Sequence, residues 1–291
     1  MTHILFNPLS NNKNGKVIAE QLLEKIGSSE AVLKDVTQIP DAVEYLVSMP
    51  AEESVILCGG DGTINFLANF FRDKKVSVDS VRCSILYHAA GSGNDFAREF
   101  TEDKMDENGC IDLKPYIVNL PTVTVKGKTS LFLNGIGYGI DGYCCRVGDD
   151  IRATSTGDKP INYAAIAIKG IFFYFKPANA TVTVDGQVHK FKKVWLAPTM
   201  NGNYYGGGMK ITPQQNRLNK ERTVTVAVWH GSGVLKTLMM FPKIFEGLLS
   251  QYPKYVSYFT GKQVKVEFDS PRDLQIDGET VRDVSEYSVN C

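Results

Sequence analysis

For its first ninety residues the chain alternates between two kinds of apolar pattern. "HILFNP" (3–8), "AVLKDV" (31–36), "SVILC" (54–58) and "VRCSILYH" (81–88) read as strands. Between them "KVIAEQLLEKIG" (16–27), "PDAVEYLVS" (40–48) and "TINFLANFFRD" (63–73) read as helices. Ile18, Leu22 and Ile26 share one face of the first helix, with Gly27 placed to stop it, and Pro40 is expected in the first turn of the second. Apolar strands spaced by helices predict a parallel sheet covered on both faces, with right-handed crossovers. In such a sheet, ligands bind at the carboxyl ends of the strands.

After about residue 120 the period changes to two. "TVTVKGKTSLFLN" (122–134), "ATVTVDGQVHKFKKVWLAP" (180–198), "RTVTVAVWH" (222–230), "QVKVEF" (263–268) and "EYSVN" (286–290) all read as strands. Two helical stretches interrupt them, 161–175 and 234–251, the second with Pro242 as an expected kink. The expected organisation is an α/β amino-terminal domain over 1–120 and a β-rich sandwich or barrel domain over 121–291, its last residues packing back on the first.

Composition narrows the function. Thirty-two basic and thirty-two acidic residues cancel, which leaves no overall field to attract nucleic acid. Six cysteines without a CxxC pair read as reduced thiols of a cytoplasmic protein, and four scattered histidines suggest no zinc site. The most apolar run, "INYAAIAIKGIFFYF" (161–175), is about five residues short of a bilayer span and carries Lys169. It is expected as a core or surface helix, or as a membrane-contacting face with Lys176, Lys190, Lys192 and Lys193 nearby.

The third strand runs straight into Gly59, Gly60, Asp61, Gly62 and Thr63. Glycines after a buried strand let backbone approach a ligand, and the next helix offers unpaired N–H groups, a combination suited to phosphate. The lysine of a Walker loop is missing. An ionised Asp61 beside a phosphate would repel it by about 1 kcal/mol even through water. A shared Mg²⁺ removes the conflict, so the loop reads as phosphate plus metal and hence as phosphoryl transfer. A tight turn with Asp61 exposed or capping the helix is the plainer alternative.

"GGDGTIN" followed by "GSGNDFAR" (91–98) resembles the diacylglycerol kinase catalytic domain, of the lipid kinase family that includes sphingosine and ceramide kinases. "FNPLSNNKNGK" (6–16), "FLNGIGYGID" (132–141), "YGGGMKITP" (205–213) and "QIDGE" (275–279) are similar to further family blocks in the same order. The resemblance implies an NAD kinase/diacylglycerol kinase-like fold, ATP and Mg²⁺ as cofactors, and a lipid substrate met at the inner face of a membrane. It implies that Asn7 and Ser10 line the nucleotide and that Gly59, Gly60, Gly62 and Thr63 contact its phosphates. Gly91, Ser92 and Gly93 form a second loop buttressed by Asn94 and Asp95. Asp61 serves metal and phosphate chemistry, and Asp277 is the general base on a lipid hydroxyl with Glu279 beside it. The implied substrate is diacylglycerol or a related lipid.

Asp277-Gly278 is equally a hairpin-turn signal, and Asn-Gly suits the same turn, so Asp277→Asn is expected to spare stability while costing turnover. Family members carry an aspartate that binds a structural cation where this chain has Asn219-Lys220, so no cation is expected there, with Lys220 or Arg222 in its place. Asn11 stands where the family has glycine, and His88 before the second loop is read as structural. Gly137-x-Gly139-x-x-Gly142 fits a dinucleotide fingerprint but is set aside because no helix pattern follows. An NAD kinase-like enzyme with a soluble substrate and a non-catalytic nucleotide or lipid sensor remain as alternatives. A homodimer is also allowed.

Overall fold

The computed structural model describes residues 1–154 and 161–291. The chain divides into two compact units, Met1–Leu120 and Pro121–Cys291.

The first unit runs β1 (Thr2–Phe6), α1 (Ser10–Lys13), α2 (Gly15–Ile26), β2 (Ala31–Asp35), α3 (Ala42–Ser48), β3 (Ser54–Gly59) and α4 (Asp61–Lys74). It ends with β4 (Ser84–Ala89), β5 (Ile111–Asp112) and α5 (Lys114–Ile117). The sheet order is β2-β1-β3-β4-β5, with the first four strands parallel and β5 antiparallel at the edge. Burial follows the periodicity: α4 buries Ile64, Leu67, Ala68 and Phe71, and Ala19 and Leu22 of α2 join Ile4, Phe6, Ile56 and Cys58 in one core. Asp41, not Pro40, starts α3: its Oδ1 accepts from the N–H groups of Val43 and Glu44 at 3.0 Å, and Pro40 lies outside the helix. α4 begins at Asp61, two residues before the pattern suggested, because apolar periodicity starts only at Ile64 while the cap is Gly60.

The second unit begins with β6 (Thr122–Val125), β7 (Lys128–Leu131), β8 (Gly135–Tyr138), α6 (Ile140–Thr154) and α7 (Tyr163–Lys169), which passes into a π-helical turn, Gly170–Tyr174. β9 (Ala178–Val184), β10 (Gln187–Leu196), β11 (Thr199–Met200), β12 (Val224–His230) and α8 (Val234–Met240) follow, then β13 (Val256–Gly261), β14 (Gln263–Ile276) and β15 (Glu279–Asn290). Among the described residues the sheet has ten strands, in the order β7-β6-β15-β14-β8-β11-β12-β10-β9, with β13 on β12. β9 also pairs with β14, so the sandwich closes into a barrel. Val182, Val226, Val266, Leu274, Tyr287 and Val289 fill one core. A second core under the helices joins Ile140, Ile171 and Phe175 to Trp195, Trp229, Met240 and Ile244. The last strand pairs inside this unit, Asn290 against Thr122.

Two helical expectations need correction. The 234–251 stretch is no kinked helix: α8 stops at Met240, and Pro242 opens a 3₁₀ turn, Phe241–Ile244, because its ring denies the helix a continuing N–H. A helix does follow the Gly137-x-Gly139-x-x-Gly142 spacing, namely α6, whose glycines and acids hid its period. The glycines are nonetheless taken up by protein. A Cβ at Gly142 would lie 1.9 Å from the Asp273 carbonyl oxygen, and one at Gly139 2.4 Å from that of Trp195.

Candidate functional site

β3 and β4 pair in register to their ends, Gly59 beside Ala89, so the loops that follow emerge side by side. The Ala90 N–H donates to the Gly59 carbonyl at 2.7 Å. Beyond that bond the backbones nearly touch: a Cβ at Gly91 would lie 2.5 Å from the Cα of Gly60. Only glycine permits this approach. Asn94, at φ +53, folds its amide back so that Oδ1 accepts from the Gly91 N–H at 2.9 Å and Nδ2 donates to the Gly91 carbonyl at 2.8 Å. Arg98 Nε donates to the Gly93 carbonyl at 3.1 Å and lies 3.8 Å from the buried carboxylate of Asp95.

Asp61 joins the two loops. Its Oδ2 accepts from the Asp95 N–H at 2.8 Å and its Oδ1 from that of Phe96 at 3.2 Å. The plainer alternative, an exposed turn residue or helix cap, is not what this carboxylate does. Its charge also acts on the buried Tyr87, whose hydroxyl is pushed well above its ordinary pKa mainly by burial and further by Asp61. Thr63 packs over Gly59, where a Cβ would meet its Oγ1 at 2.5 Å, while Gly62 is exposed with open space around it. Ser92 is exposed, its Oγ 3.4 Å from Asn11 Oδ1. Asn7 turns the chain after β1: its N–H donates to Cys58, its carbonyl accepts from Ser10, and its Oδ1 accepts from the Leu9 N–H at 3.0 Å. The nucleotide candidates thus gather at the carboxyl ends of three adjacent strands, β1, β3 and β4. His88 lies 3.8 Å from the Cys110 thiol, and burial lowers its pKa.

Asp61 suits Mg²⁺ in one way. Its two carboxylate oxygens are hard anionic donors of the kind that Mg²⁺ takes, and the N–H groups of Asp95 and Phe96 fix their direction. No cluster of three or more His, Cys, Asp or Glu fit for a metal occurs among the described residues. That donor set fits an ion carried by phosphates, since Mg²⁺ commonly takes one or two carboxylates and keeps waters.

Asp277 and Glu279 lie in the second unit, at the turn between β14 and β15. Asp277, at φ +48, turns its carboxylate onto another segment: Oδ2 accepts from the Leu133 N–H at 2.5 Å, and Oδ1 from Asn134 and Gly135 at 2.7 and 3.0 Å. Its own N–H donates to the Gly135 carbonyl at 3.0 Å. Glu279 is exposed. The expectation that Asn would serve equally well at 277 meets a difficulty, because an amide keeps one acceptor oxygen and its NH₂ cannot accept the remaining N–H.

Sequence reasoning missed the residues that grip the other edge of this segment. Arg217 donates to the Leu133 carbonyl and, at 2.6 Å, to Asn134 Oδ1; buried Asn201 also donates to the Leu133 carbonyl, at 2.9 Å. Arg217 is thus the inward-reaching cation of its loop, whereas Lys220 and Arg222 are exposed. Asn219 closes the loop on itself. Its Oδ1 accepts from the N–H and hydroxyl of Thr223 at 2.9 and 3.1 Å, and its Nδ2 donates to the carbonyls of Asn216 and Thr223 at 2.8 and 2.9 Å. Also unforeseen is Asp141 in the first turn of α6: it accepts from the Tyr205 hydroxyl at 2.8 Å, and burial pushes its pKa up to about 7.

Two family models match the chain. Residues 1–114 match the diacylglycerol kinase catalytic domain, and residues 134–288 match the YegS C-terminal NAD kinase beta sandwich-like domain. The chain belongs to the diacylglycerol kinase catalytic-domain family. Among its relatives is YtlR of Bacillus subtilis (strain 168), named as a candidate lipid kinase, 26% identical over 306 residues that cover 92% of this chain and 93% of that protein. A diacylglycerol kinase of Mycobacterium tuberculosis (strain ATCC 25618 / H37Rv) is 25% identical over 250 residues, 78% of this chain and 71% of its own. The solved structure of a diacylglycerol kinase from Bacillus anthracis str. Sterne covers 99% of this chain and 93% of its own at a TM-score of 0.62 and 17% identity, a likeness of fold. The family's catalytic-domain match falls on the unit that carries both glycine loops.

Proposed function

We propose that this family member transfers the γ-phosphoryl group of MgATP to a lipid hydroxyl, diacylglycerol or a related lipid being the acceptor. The observation that carries the reading is the contact of Gly60 with Gly91, tied by Asp61, at the carboxyl ends of neighbouring strands. Two loops so held present backbone N–H groups without side chains in the way, beside the first turn of α4, where a helix favours an anion.

In this reading Gly59, Gly60, Gly62, Thr63, Gly91, Ser92 and Gly93 contact phosphates, Asn7 and Ser10 line the nucleotide, and Asn94 and Asp95 hold the second loop. Asp61 would hold Mg²⁺, which supplies neutralisation of phosphate charge. Asp277, its carboxylate oriented by the N–H groups of Leu133, Asn134 and Gly135, would take the proton of the lipid hydroxyl, with Glu279 adding negative charge nearby. Phosphoryl transfer chiefly requires such positioning and charge balance.

The test is labelled ATP with a panel of dispersed lipids and, separately, with NAD. Mg²⁺-dependent labelling of a lipid is expected. Labelling of NAD would move the enzyme to the soluble-substrate alternative. Nucleotide binding with no acceptor labelled would leave a sensor, in which the three N–H bonds to Asp277 serve the fold alone.

A further inference from the structure

The outer face of the second unit's helical layer carries an apolar surface built from two segments far apart in sequence. Phe172, Phe173 and Tyr174, consecutive in the π-helical turn, are 46%, 75% and 69% exposed. On α8, which packs against that turn, Leu235 and Met239 stand one helical turn apart at 79% and 61% exposure. These side chains are not frayed ends. Ile171 and Phe175 from the first segment, and Met240 and Phe241 from the second, are buried in the same core with Trp195 and Trp229.

Within the two segments themselves the charge has one sign. Residues 161–176 contain Lys169 and Lys176, residues 231–245 contain Lys236 and Lys243, and neither segment contains Asp or Glu, in a chain whose charges cancel overall. Lys243 is paired with Glu246, but Lys169 and Lys176 are exposed, and Lys236 lies over the Tyr252 ring at 5.1 Å. Exposed aromatic and aliphatic tips on segments whose only charges are lysines suit an interface that is apolar inside and anionic at its rim. A second copy of the chain suits it poorly, because a twofold contact of this surface with itself would set lysines against lysines.

We infer that the Phe172–Tyr174 turn and the Leu235/Met239 face of α8 together form a docking surface for an anionic bilayer. This deepens the lipid kinase reading and rests on it, and it extends the contact foreseen in 161–175 to a second, necessary limb. Lys190, Lys192 and Lys193 lie on β10, outside both limbs.

Flotation with phosphatidylcholine vesicles, with and without phosphatidylglycerol, tests the inference on the whole chain without nucleotide. Binding is expected only with phosphatidylglycerol and should weaken at high salt. Phe173→Ser and Leu235→Gln should each lower partitioning about tenfold, since each removes a large apolar group from the interface. Lys236→Gln should lower it about fivefold at low salt. All three side chains lie outside the core, so unchanged melting curves confirm that the variants fold. Absence of vesicle binding, or binding indifferent to Leu235→Gln, overturns the inference. So does light scattering that shows a dimer dissociated by Leu235→Gln, which assigns the surface to a second copy. Phosphorylation of a soluble short-chain lipid is measured alongside: docking without phosphorylation of any lipid would sink the kinase reading alone, and phosphorylation without docking would sink this inference alone.

Discussion

Arg217 and Asp277 hold opposite edges of one short segment: the guanidinium takes the carbonyl of Leu133 and the side-chain oxygen of Asn134, and the carboxylate takes the N–H groups of Leu133, Asn134 and Gly135. A fixed positive and a fixed negative group thus polarise the same peptides from both sides. Asp277→Asn should lower stability by about 1–3 kcal/mol, the usual cost of leaving such donors unsatisfied. It should also lower kcat by about 10²–10⁴ if Asp277 is the base. Denaturant titration and steady-state kinetics read the two effects separately. A variant as stable as wild type would contradict the bonding described, and one that keeps its kcat would remove the base.

Asp61→Asn should reduce turnover far more than nucleotide affinity. Asn keeps one acceptor oxygen, so one of the two bonds to Asp95 and Phe96 survives while the charge available to a cation is lost. Calorimetry with ATP beside the kinase assay gives the comparison. Near-normal turnover would end the metal role.

Gly62 and Gly91 should respond in opposite senses to alanine. Gly62 lies in α4 with open space around its Cα, so Gly62→Ala should stabilise the fold by about 0.5–1 kcal/mol through helix propensity. If the loop carries phosphate, the same methyl group should weaken ATP binding. Gly91→Ala has no room, since its Cβ would meet Gly60 Cα at 2.5 Å, and should separate the loops and abolish ATP binding. Thermal melts with and without ATP check both. ATP affinity untouched by Gly91→Ala would show that the ligand site lies elsewhere.

The contribution of Asp141 to stability should fall as pH rises between about 4 and about 7, against the opposite contribution of His3, His88 and His230, whose pKa values burial lowers. The buried carboxyl of Asp141 holds its proton up to about 7, whereas in the unfolded chain it releases it near 3.8. Within that window the folded state binds more protons, so raising pH favours unfolding; below the window the penalty vanishes and above it the penalty is constant. Its ceiling is about 4 kcal/mol, roughly three units at 1.36 kcal/mol each. Asp141→Asn, which can still accept from Tyr205, should flatten the slope in urea titrations across pH. An unchanged slope would assign it to other groups.

Chelator should leave the melting temperature of the nucleotide-free protein unchanged. The Asn219 amide already joins Asn216 to Thr223 within its loop, and a neutral oxygen attracts Mg²⁺ weakly. A fall of several degrees with chelator would reveal a structural cation.

What the sequence revealed depended on distance along the chain. The strands β1 to β4 announce themselves because each is a local apolar run spaced by helical periodicity, and the glycine loops because a strand, a turn and a helix start lie within ten residues. α6 did not, since its buried face is made of Ile140, Asp141, Gly142, Cys144 and Gly148, an unusual set for a helical stripe. Arg217 and Asn201 were invisible for another reason. Their partners are Leu133 and Asn134, far away in sequence, and an arginine in a polar loop carries no local mark of what it will reach. The tie from Asp61 to Asp95 and Phe96 is of the same kind: the residue was legible, its partners were not.

The pairing of β6 with β15 sets the order in which the second unit can come into being. Thr122, near its beginning, lies opposite Asn290, and β14 closes the barrel against β9 from more than eighty positions later in the chain. Contacts of such separation form late, because the loop between them must be closed before any bond rewards it. During synthesis the apolar strands β8 to β12 would therefore stay partly uncovered until β14 and β15 have been made. In that interval the nascent chain would be most exposed to misassociation and to proteolysis, and a chaperone would have the most surface to hold.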